Sequence, residues 1–153
     1  MLTLTTTPTA EEKNTTLPQL LQANTYTLLY FYPKDDTPGC TLEGQEFSAI
    51  IKQLHTQKIG IYGVSRDTHT SHCAFQKKHG ISLPLVSDPE LILHKQFGAR
   101  GEKTSFGKTS MGVLRSTVLL DAKGKIVHQW RNVKAAGHAE IVLKWITSHL
   151  PKK

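Results

Sequence analysis

A continuous run of aromatic and aliphatic side chains occupies residues 26 to 32, which read Tyr-Thr-Leu-Leu-Tyr-Phe-Tyr. Runs without polar alternation are typical of strands that are buried on both faces of a sheet. Residues 33 to 39 then break the pattern, because proline and glycine do not continue a central strand and two adjacent aspartates favour a loop. The pattern therefore predicts a central strand that ends in a tight loop.

Helices and further strands alternate after this loop. Apolar residues at spacings of three and four predict a helix beyond residue 40, with one buried stripe of Phe47, Ile50, Ile51 and Leu54. The next predicted elements are a strand at 59–65, a helix from His69 to His79 ended by Gly80, a strand at 83–86 and a helix at 91–97. A hairpin at 116–120 and 125–130 follows, and a last helix places Val142, Trp145, Ile146 and His149 on one face.

This order of elements predicts the fold class. Alternating strands and helices, followed by a hairpin and a final helix, indicate an α/β protein with a mixed central β-sheet flanked by helices. The order fits a thioredoxin-like fold. With 153 residues, the chain is expected to form one domain over residues 1–153.

Composition and charge narrow the possible locations and partners. The longest apolar stretches are too short to cross a bilayer, so no membrane association is expected. Residues 1–11 are rich in threonine and lack the basic start and apolar run of a signal peptide, which favours the cytoplasm. The net charge is +7, but lysines and arginines are scattered, with tight pairs only at 77–78 and 152–153. We therefore expect no nucleic-acid partner, which would need a clustered basic surface.

Cys40 is the main candidate for chemistry. Thr37 suits the N-cap of the predicted helix and Pro38 its first position, which places Cys40 in the first turn. There, unpaired backbone N–H groups and the positive end of the helix dipole favour the thiolate, which is the nucleophilic form of cysteine. The alternative is an inert, buried cysteine, which is common in proteins.

The residues around Cys40 resemble a known signature. The segment from Tyr30 to Thr41 is similar to the peroxiredoxin pattern Pro-x-x-x-Thr-x-x-Cys, and its surroundings resemble the Q-type branch, the bacterioferritin comigratory proteins. Further similar segments are Val64-Ser65-Arg66-Asp67 with His72 and Phe75, residues 84–88, Arg115-Ser116-Thr117, and Val133-Lys134 with Gly137-His138. The resemblance covers roughly residues 28 to 146, although the usual Ala-Pro-x-Phe opening of the family is missing.

The resemblance implies a thiol peroxidase and assigns roles to individual residues. Cys40 would attack the peroxide, Thr37 would orient it, and Arg115 would stabilise the thiolate and the transition state. Pro33 would shield the thiolate from water. Glu43, one turn after Cys40, is either an exposed helix carboxylate or, as the resemblance suggests, a residue that positions Arg115.

The second cysteine has two interpretations. Many Q-type members carry a resolving cysteine five residues after the peroxidatic one, but this chain has Gln45 there. Other members place it in the next helix, where Cys73 lies. Because Cys73 is about 200° around the helix from Phe75, a buried Phe75 would leave Cys73 facing outward. It is therefore either the resolving cysteine or an incidental surface thiol.

The resemblance also implies the substrates and partners. We expect reduction of hydrogen peroxide and organic hydroperoxides, recycling by thioredoxin or a similar dithiol, a monomeric state, and no metal, flavin or nucleotide cofactor. His69, His72, Cys73 and His79 match no standard zinc pattern. Two alternatives remain, a disulfide oxidoreductase on the same fold, which the lack of a Cys-x-x-Cys motif disfavours, and a non-enzymatic sensor that reacts through Cys40.

Overall fold

The computed structural model of the protein describes residues 3–7, 13–105 and 107–150. Nine strands and five helices lie within these residues. The elements in chain order are β1 (Thr3–Thr7), β2 (Lys13–Thr16), α1 (Leu17–Gln22), β3 (Tyr26–Phe31), α2 (Pro38–Thr56), β4 (Ile59–Ser65), α3 (His69–His79), β5 (Leu85–Ser87), α4 (Ile92–Gln96), β6 (Arg100–Ser105), β7 (Lys108–Val113), β8 (Ser116–Asp121), β9 (Ile126–Trp130) and α5 (His138–His149).

Seven of the strands form one mixed sheet in the order β2-β1-β5-β4-β3-β8-β9. The three central strands β5, β4 and β3 run parallel, and β8 pairs antiparallel with β3. Antiparallel strands complete both sides, with β9 next to β8, and β1 between β5 and β2. The predicted α/β class and mixed central sheet are confirmed.

The alternation of side chains along β3 divides the core into two layers. Leu28 and Tyr30 point to one face of the sheet, and Leu29 and Phe31 point to the other, since successive residues of a strand face opposite sides. The first face packs against α2, α3 and α5, and the second against α1 and α4. Burial on both faces explains why the sequence of β3 shows no polar alternation.

Some element boundaries differ from the sequence-based expectation. The strand expected at 83–86 starts only at Leu85, because Pro84 has no N–H to donate to a ladder. The helix expected at 91–97 is shorter in the structure, where α4 spans Ile92–Gln96. Leu91, which precedes it, lies in the left-handed region with a φ of 59°. On α5, Val142 and Ile146 are buried in the core, Trp145 is half-buried and packs against it, and His149 at the last turn is exposed.

Two hairpins were not predicted from the sequence. β6 and β7 form a separate two-stranded sheet whose residues are mostly Thr, Ser, Lys and Gly. Such a hairpin shows no alternation of apolar side chains in its sequence, and Met111 within it is 57% exposed. β1 and β2 pair antiparallel, and residues 8–12 between them lie outside the described structure.

Candidate active site

The strand register brings two distant parts of the chain to one edge of the sheet. Phe31, the last residue of β3, pairs with Ser116, the first residue of the antiparallel strand β8. The loop after β3 and the residue before β8 therefore lie side by side. These two segments carry Cys40, at the start of α2, and Arg115.

The start of α2 places Cys40 in the third helical position. Thr37 is the N-cap residue, as predicted, and its carbonyl accepts a hydrogen bond from the Thr41 N–H at 2.8 Å. Its side chain does not cap the helix, because the hydroxyl donates instead to the carbonyl of Lys34 at 2.9 Å. Cys40 itself is only 2% exposed and belongs to the core layer that contains Phe47. The thiol is thus sheltered from water.

Arg115 contacts both Cys40 and Glu43. Its Nη2 donates to Cys40 Sγ at 3.4 Å, and its Nη1 donates to Glu43 Oε1 at 2.8 Å. The side chain of Glu43 is fully buried, so the exposed helix carboxylate considered as one alternative is excluded. The planar fork of the guanidinium holds the sulfur and the carboxylate in one fixed geometry.

Two neighbouring residues determine the position of Arg115, one by a hydrogen bond and one by the space it leaves. The backbone N–H of Val133 donates to the Arg115 carbonyl at 2.8 Å. On the helix side, a Cβ on Gly39 would lie 3.1 Å from Arg115 Nη2. The absence of a side chain at Gly39 therefore allows the guanidinium to approach the thiol closely.

The electrostatics of the cluster follow from its burial. Burial raises the pKa of Glu43 from 4.5 to about 7, and the nearby Arg115 opposes this shift only in part. For Arg115, burial alone would lower the pKa, but Glu43 and Cys40 outweigh it and raise the pKa. Because Glu43 is partly neutral near pH 7, the positive charge of Arg115 is available to the sulfur of Cys40.

Aromatic and neutral side chains surround this cluster on the inner side. Tyr30 stacks on Phe47 with ring centroids 4.7 Å apart and on Tyr32 at 5.6 Å. Burial, then the nearby Glu43, raises the pKa of Tyr30 well above its ordinary value. Burial, followed by Arg115, lowers the pKa of His138 to about 4, so its ring is neutral at physiological pH. Arg115 is thus the cation beside the thiol, in a pocket of low polarity.

A buried polar network lies on the other side of the loop. The carboxylate of Asp35 accepts hydrogen bonds from the Tyr32 hydroxyl at 2.6 Å and the Ser71 hydroxyl at 2.7 Å, and contacts His72 Nδ1 at 2.8 Å. Its own N–H donates to Asp67 Oδ2 at 2.8 Å. The sequence pattern predicts Asp35 only as a loop residue, since a buried carboxylate gives no hydrophobic signal. The signal that was present is the similarity of residues 64–67 and His72 to the Q-type pattern.

The remaining predicted site residues occupy separate positions. Pro33 follows the end of β3 and is half-buried, near the base of the loop. Cys73 lies on α3, where it is half-buried while Phe75 is 2% exposed. Both cysteines are thiols in the structure. Within the described residues, no three His, Cys, Asp or Glu side chains converge as metal ligands.

Fold and site together define a class of protein, a thioredoxin-like α/β protein with a buried, arginine-contacted thiol at a helix start. The AhpC/TSA family model matches residues 2–129. The peroxiredoxin Bcp of Xanthomonas campestris is 45% identical over 127 residues, which cover 83% of this chain and 79% of that protein. The peroxiredoxin Bcp of Bacillus subtilis is 40% identical over 119 residues, covering 78% and 76%.

Solved structures agree with the sequence relatives. The bacterioferritin comigratory protein of Xanthomonas campestris, which is described for alkyl peroxide reduction, superposes with a TM-score of 0.86 at 40% identity. That match covers 97% of this chain and 91% of the other. The peroxiredoxin Q of Xylella fastidiosa gives a TM-score of 0.87 at 39% identity, covering 98% and 90%.

The chain belongs to the AhpC/TSA family, as a peroxiredoxin of the Q-type, or bacterioferritin comigratory, branch. It is a thiol peroxidase, which reduces peroxides and is itself returned to the starting state by a thiol reductant. The predicted family and the thioredoxin-like fold are both confirmed.

Proposed function

We propose that Cys40 is the peroxidatic cysteine and that Arg115 is its electrostatic partner. The observation that supports this most directly is the contact of 3.4 Å between Arg115 Nη2 and Cys40 Sγ. A cation and the N-terminus of α2 converge on one buried sulfur, and both stabilise negative charge that lies close to them. Glu43 acts as a positioning residue, since it holds the guanidinium through its bond of 2.8 Å to Nη1.

The first chemical step breaks the O–O bond of the peroxide. The Cys40 thiolate attacks one oxygen, an S–O bond forms, and hydroxide or alkoxide leaves and takes up a proton as water or alcohol. Cys40 becomes a sulfenic acid, so sulfur is oxidised while the peroxide is reduced. Negative charge moves from sulfur to oxygen in the transition state, and Arg115 can donate to both atoms because its N–H groups form a planar fork.

Thr37 and Pro33 have supporting roles in this proposal. The Thr37 hydroxyl donates its hydrogen to Lys34, so its oxygen remains an acceptor for the O–H of a peroxide. Thr37 thereby orients the substrate in the first turn of α2. Pro33, half-buried after β3, shields the thiolate from water and offers no backbone donor of its own.

The substrates are hydrogen peroxide and organic hydroperoxides. The alkyl peroxide reduction described for the Xanthomonas campestris relative supports the organic substrates. Cys73 then condenses with the Cys40 sulfenic acid, which forms a disulfide within one chain and releases water. A dithiol protein, thioredoxin or a similar reductant, reduces the disulfide by thiol–disulfide exchange.

The wider setting of the enzyme is also a proposal. We infer a monomer that forms one domain over residues 1–153 and acts in the cytoplasm without metal, flavin or nucleotide. None of the described helices is long and apolar enough to cross a membrane. The scattered positive charge offers no clustered surface for nucleic acid.

A thioredoxin-coupled peroxidase assay on wild type and Cys40→Ser tests this function. The serine hydroxyl is barely ionised at neutral pH, so the variant should lose peroxide reduction. Loss of more than about a hundredfold is expected, because the remaining groups cannot replace the nucleophile. A variant that keeps a larger fraction of the wild-type rate would contradict the assignment of Cys40.

A further inference from the structure

Two consecutive aspartates of the loop before α2 hold helix α3 at two positions. Asp35 contacts His72, and Asp36 contacts His79. The two histidines are seven residues apart, about two helical turns, so they lie on the same face of α3. Cys73 follows His72 directly and thus lies between the two contacts along the helix.

The contact at Asp35 is buried. Asp35 is 5% exposed and His72 is 0% exposed, and Asp35 Oδ2 also accepts a hydrogen bond from Ser71 at 2.7 Å. His72 Nε2 faces the carbonyl of Val86 at 3.3 Å, so both ring nitrogens have acceptors. Removing one partner of such a buried network leaves polar groups unsatisfied and is costly.

The contact at Asp36 is closer to the surface but has two partners. One oxygen contacts His79 Nε2 at 2.6 Å, and the other accepts from Lys78 Nζ at 2.9 Å. Asp36 has a φ of 58°, in the left-handed region that disfavours residues with a side chain. The Gln45 amide of α2 also donates to the His79 carbonyl at 3.1 Å, so loop and catalytic helix both hold the end of α3.

These contacts restrain the motion that a disulfide requires. Cys40 is 2% exposed behind Arg115, so its sulfur must leave that position before a thiol on another helix can reach it. A disulfide also needs Cα atoms within about 7 Å of each other. The start of α2 must therefore open, and it directly follows the two aspartates, which hold the preceding loop against the first and last turns of α3.

We propose that Asp35 and Asp36 are positioning residues that clamp the loop before α2 to α3 and thereby set the rate at which the two cysteines join. This inference rests on the proposed resolving role of Cys73. In that step the sulfenic acid of Cys40 and the thiol of Cys73 form an S–S bond and release one water. The clamp favours the closed site in which peroxide reacts, at the expense of the open form in which the disulfide forms.

The test measures the two steps separately in the full chain. Reduced protein is mixed with one equivalent of hydrogen peroxide and quenched with an alkylating reagent, and sulfenic acid and disulfide are quantified over time by mass spectrometry. The variants are Asp36→Asn and Asp35→Asn. Glu140→Gln serves as the matched control, since it removes the same charge from an exposed pair with Lys144 on α5.

Both clamp variants should change the two steps in opposite directions. For Asp36→Asn we expect disulfide formation about two- to fivefold faster, the range for weakening an exposed ion pair, with a slower peroxide step. For Asp35→Asn the same changes should be larger, about tenfold, because the network is buried. Glu140→Gln should match wild type in both steps. If Asp35→Asn fails to fold, the surface variant Asp36→Asn carries the test by itself.

Three outcomes would overturn the proposal. Unchanged disulfide formation in Asp36→Asn and Asp35→Asn would show that the clamp does not limit the step. Equal slowing of both steps would show that the aspartates serve general stability. If wild type itself forms no Cys40–Cys73 disulfide, the resolving role of Cys73 is wrong and the clamp proposal falls with it, which separates that failure from the first two.

Discussion

The two cysteines occupy opposite kinds of surroundings. Cys40 lies in the first turn of the 19-residue helix α2, is 2% exposed, and has a guanidinium nitrogen 3.4 Å from its sulfur. Cys73 lies within the 11-residue helix α3 and is half-buried. Cys40 thus has a preformed chemical environment, whereas Cys73 is partly exposed to solvent.

This difference separates two tasks of a peroxidase. Attack on peroxide needs fixed donors around the sulfur, because electrostatic stabilisation acts without reorganisation when groups are already in place. Disulfide formation instead needs movement of the sulfur atoms, since a thiol held in one position cannot reach a second one. Local opening of a helix end costs less than global unfolding and is available on functional timescales.

The largest expected effect comes from Cys73→Ser. The variant should form the Cys40 sulfenic acid as fast as wild type, but it should lose thioredoxin-coupled turnover because no disulfide can form within the chain. The persistent sulfenic acid should then become prone to over-oxidation to the sulfinic acid, which mass spectrometry detects. Turnover with thioredoxin at the wild-type rate would show that the enzyme works with one cysteine.

Arg115→Lys tests the preformed side of the contrast. The charge is kept, but an ammonium acts as a point charge and cannot hold both Cys40 and Glu43 in one fork. The second-order rate with hydrogen peroxide, measured by rapid mixing, should fall on the order of 10²-fold, similar to the loss of one oxyanion donor. An unchanged rate would place Arg115 outside the reacting site.

The same contrast explains what the sequence could predict. β3 and α2 were predicted because a buried strand and an amphipathic helix leave periodic hydrophobic patterns, and Thr37 and Pro38 mark the helix start. The hairpin of β6 and β7 was missed because polar strands held by ladder bonds leave no such pattern. Hydrophobic periodicity thus predicts the strands and helices that form the core, and it does not predict a polar hairpin such as β6 and β7.

Contacts between distant residues were predictable only through resemblance. Arg115 and Glu43 are 72 positions apart, and only the register of β3 with β8 brings their segments together. The Q-type pattern pointed to this pair, and in the structure Arg115 Nη1 donates to Glu43 Oε1 at 2.8 Å. Asp35 and His72 belong to a buried polar network. Neither hydrophobic periodicity nor the sequence signature around Cys40 predicts where such a network lies.

The Glu43→Gln variant tests the raised pKa of Glu43 through the pH dependence of the stability of the fold. The folded-state pKa of Glu43 is raised to about 7 from 4.5, so the stability linked to its protonation is present below pH 4.5 and lost as pH rises through 7. The shift corresponds to at most on the order of 3 kcal/mol. The Tm of wild type minus that of the variant should therefore decrease between pH 4.5 and 7 and stay constant above. A difference that stays constant between pH 4.5 and 7 would indicate that Arg115 keeps Glu43 ionised over that range.

Gly39→Ala is the smallest and most selective change, because it adds one methyl group beside the guanidinium. The new Cβ would lie 3.1 Å from Arg115 Nη2, the atom that donates to Cys40, so Nη2 must shift by a few tenths of an ångström. The second-order rate with peroxide should fall about two- to fivefold, the equivalent of about 0.5–1 kcal/mol in the barrier. Thermal stability should be unchanged or increased, since alanine favours a helix over glycine.

The control for this variant is a glycine-to-alanine substitution at another position of α2. In Gly44→Ala the added Cβ would lie 2.8 Å from Ile81 Cδ1 and would change core packing, with Arg115 left in place. It should therefore alter Tm and leave the peroxide step at the wild-type rate. If both glycine variants slow the peroxide step equally, the effect belongs to the helix as a whole. A loss confined to Gly39→Ala, with Tm maintained, would assign the rate to the distance between Arg115 and the sulfur of Cys40.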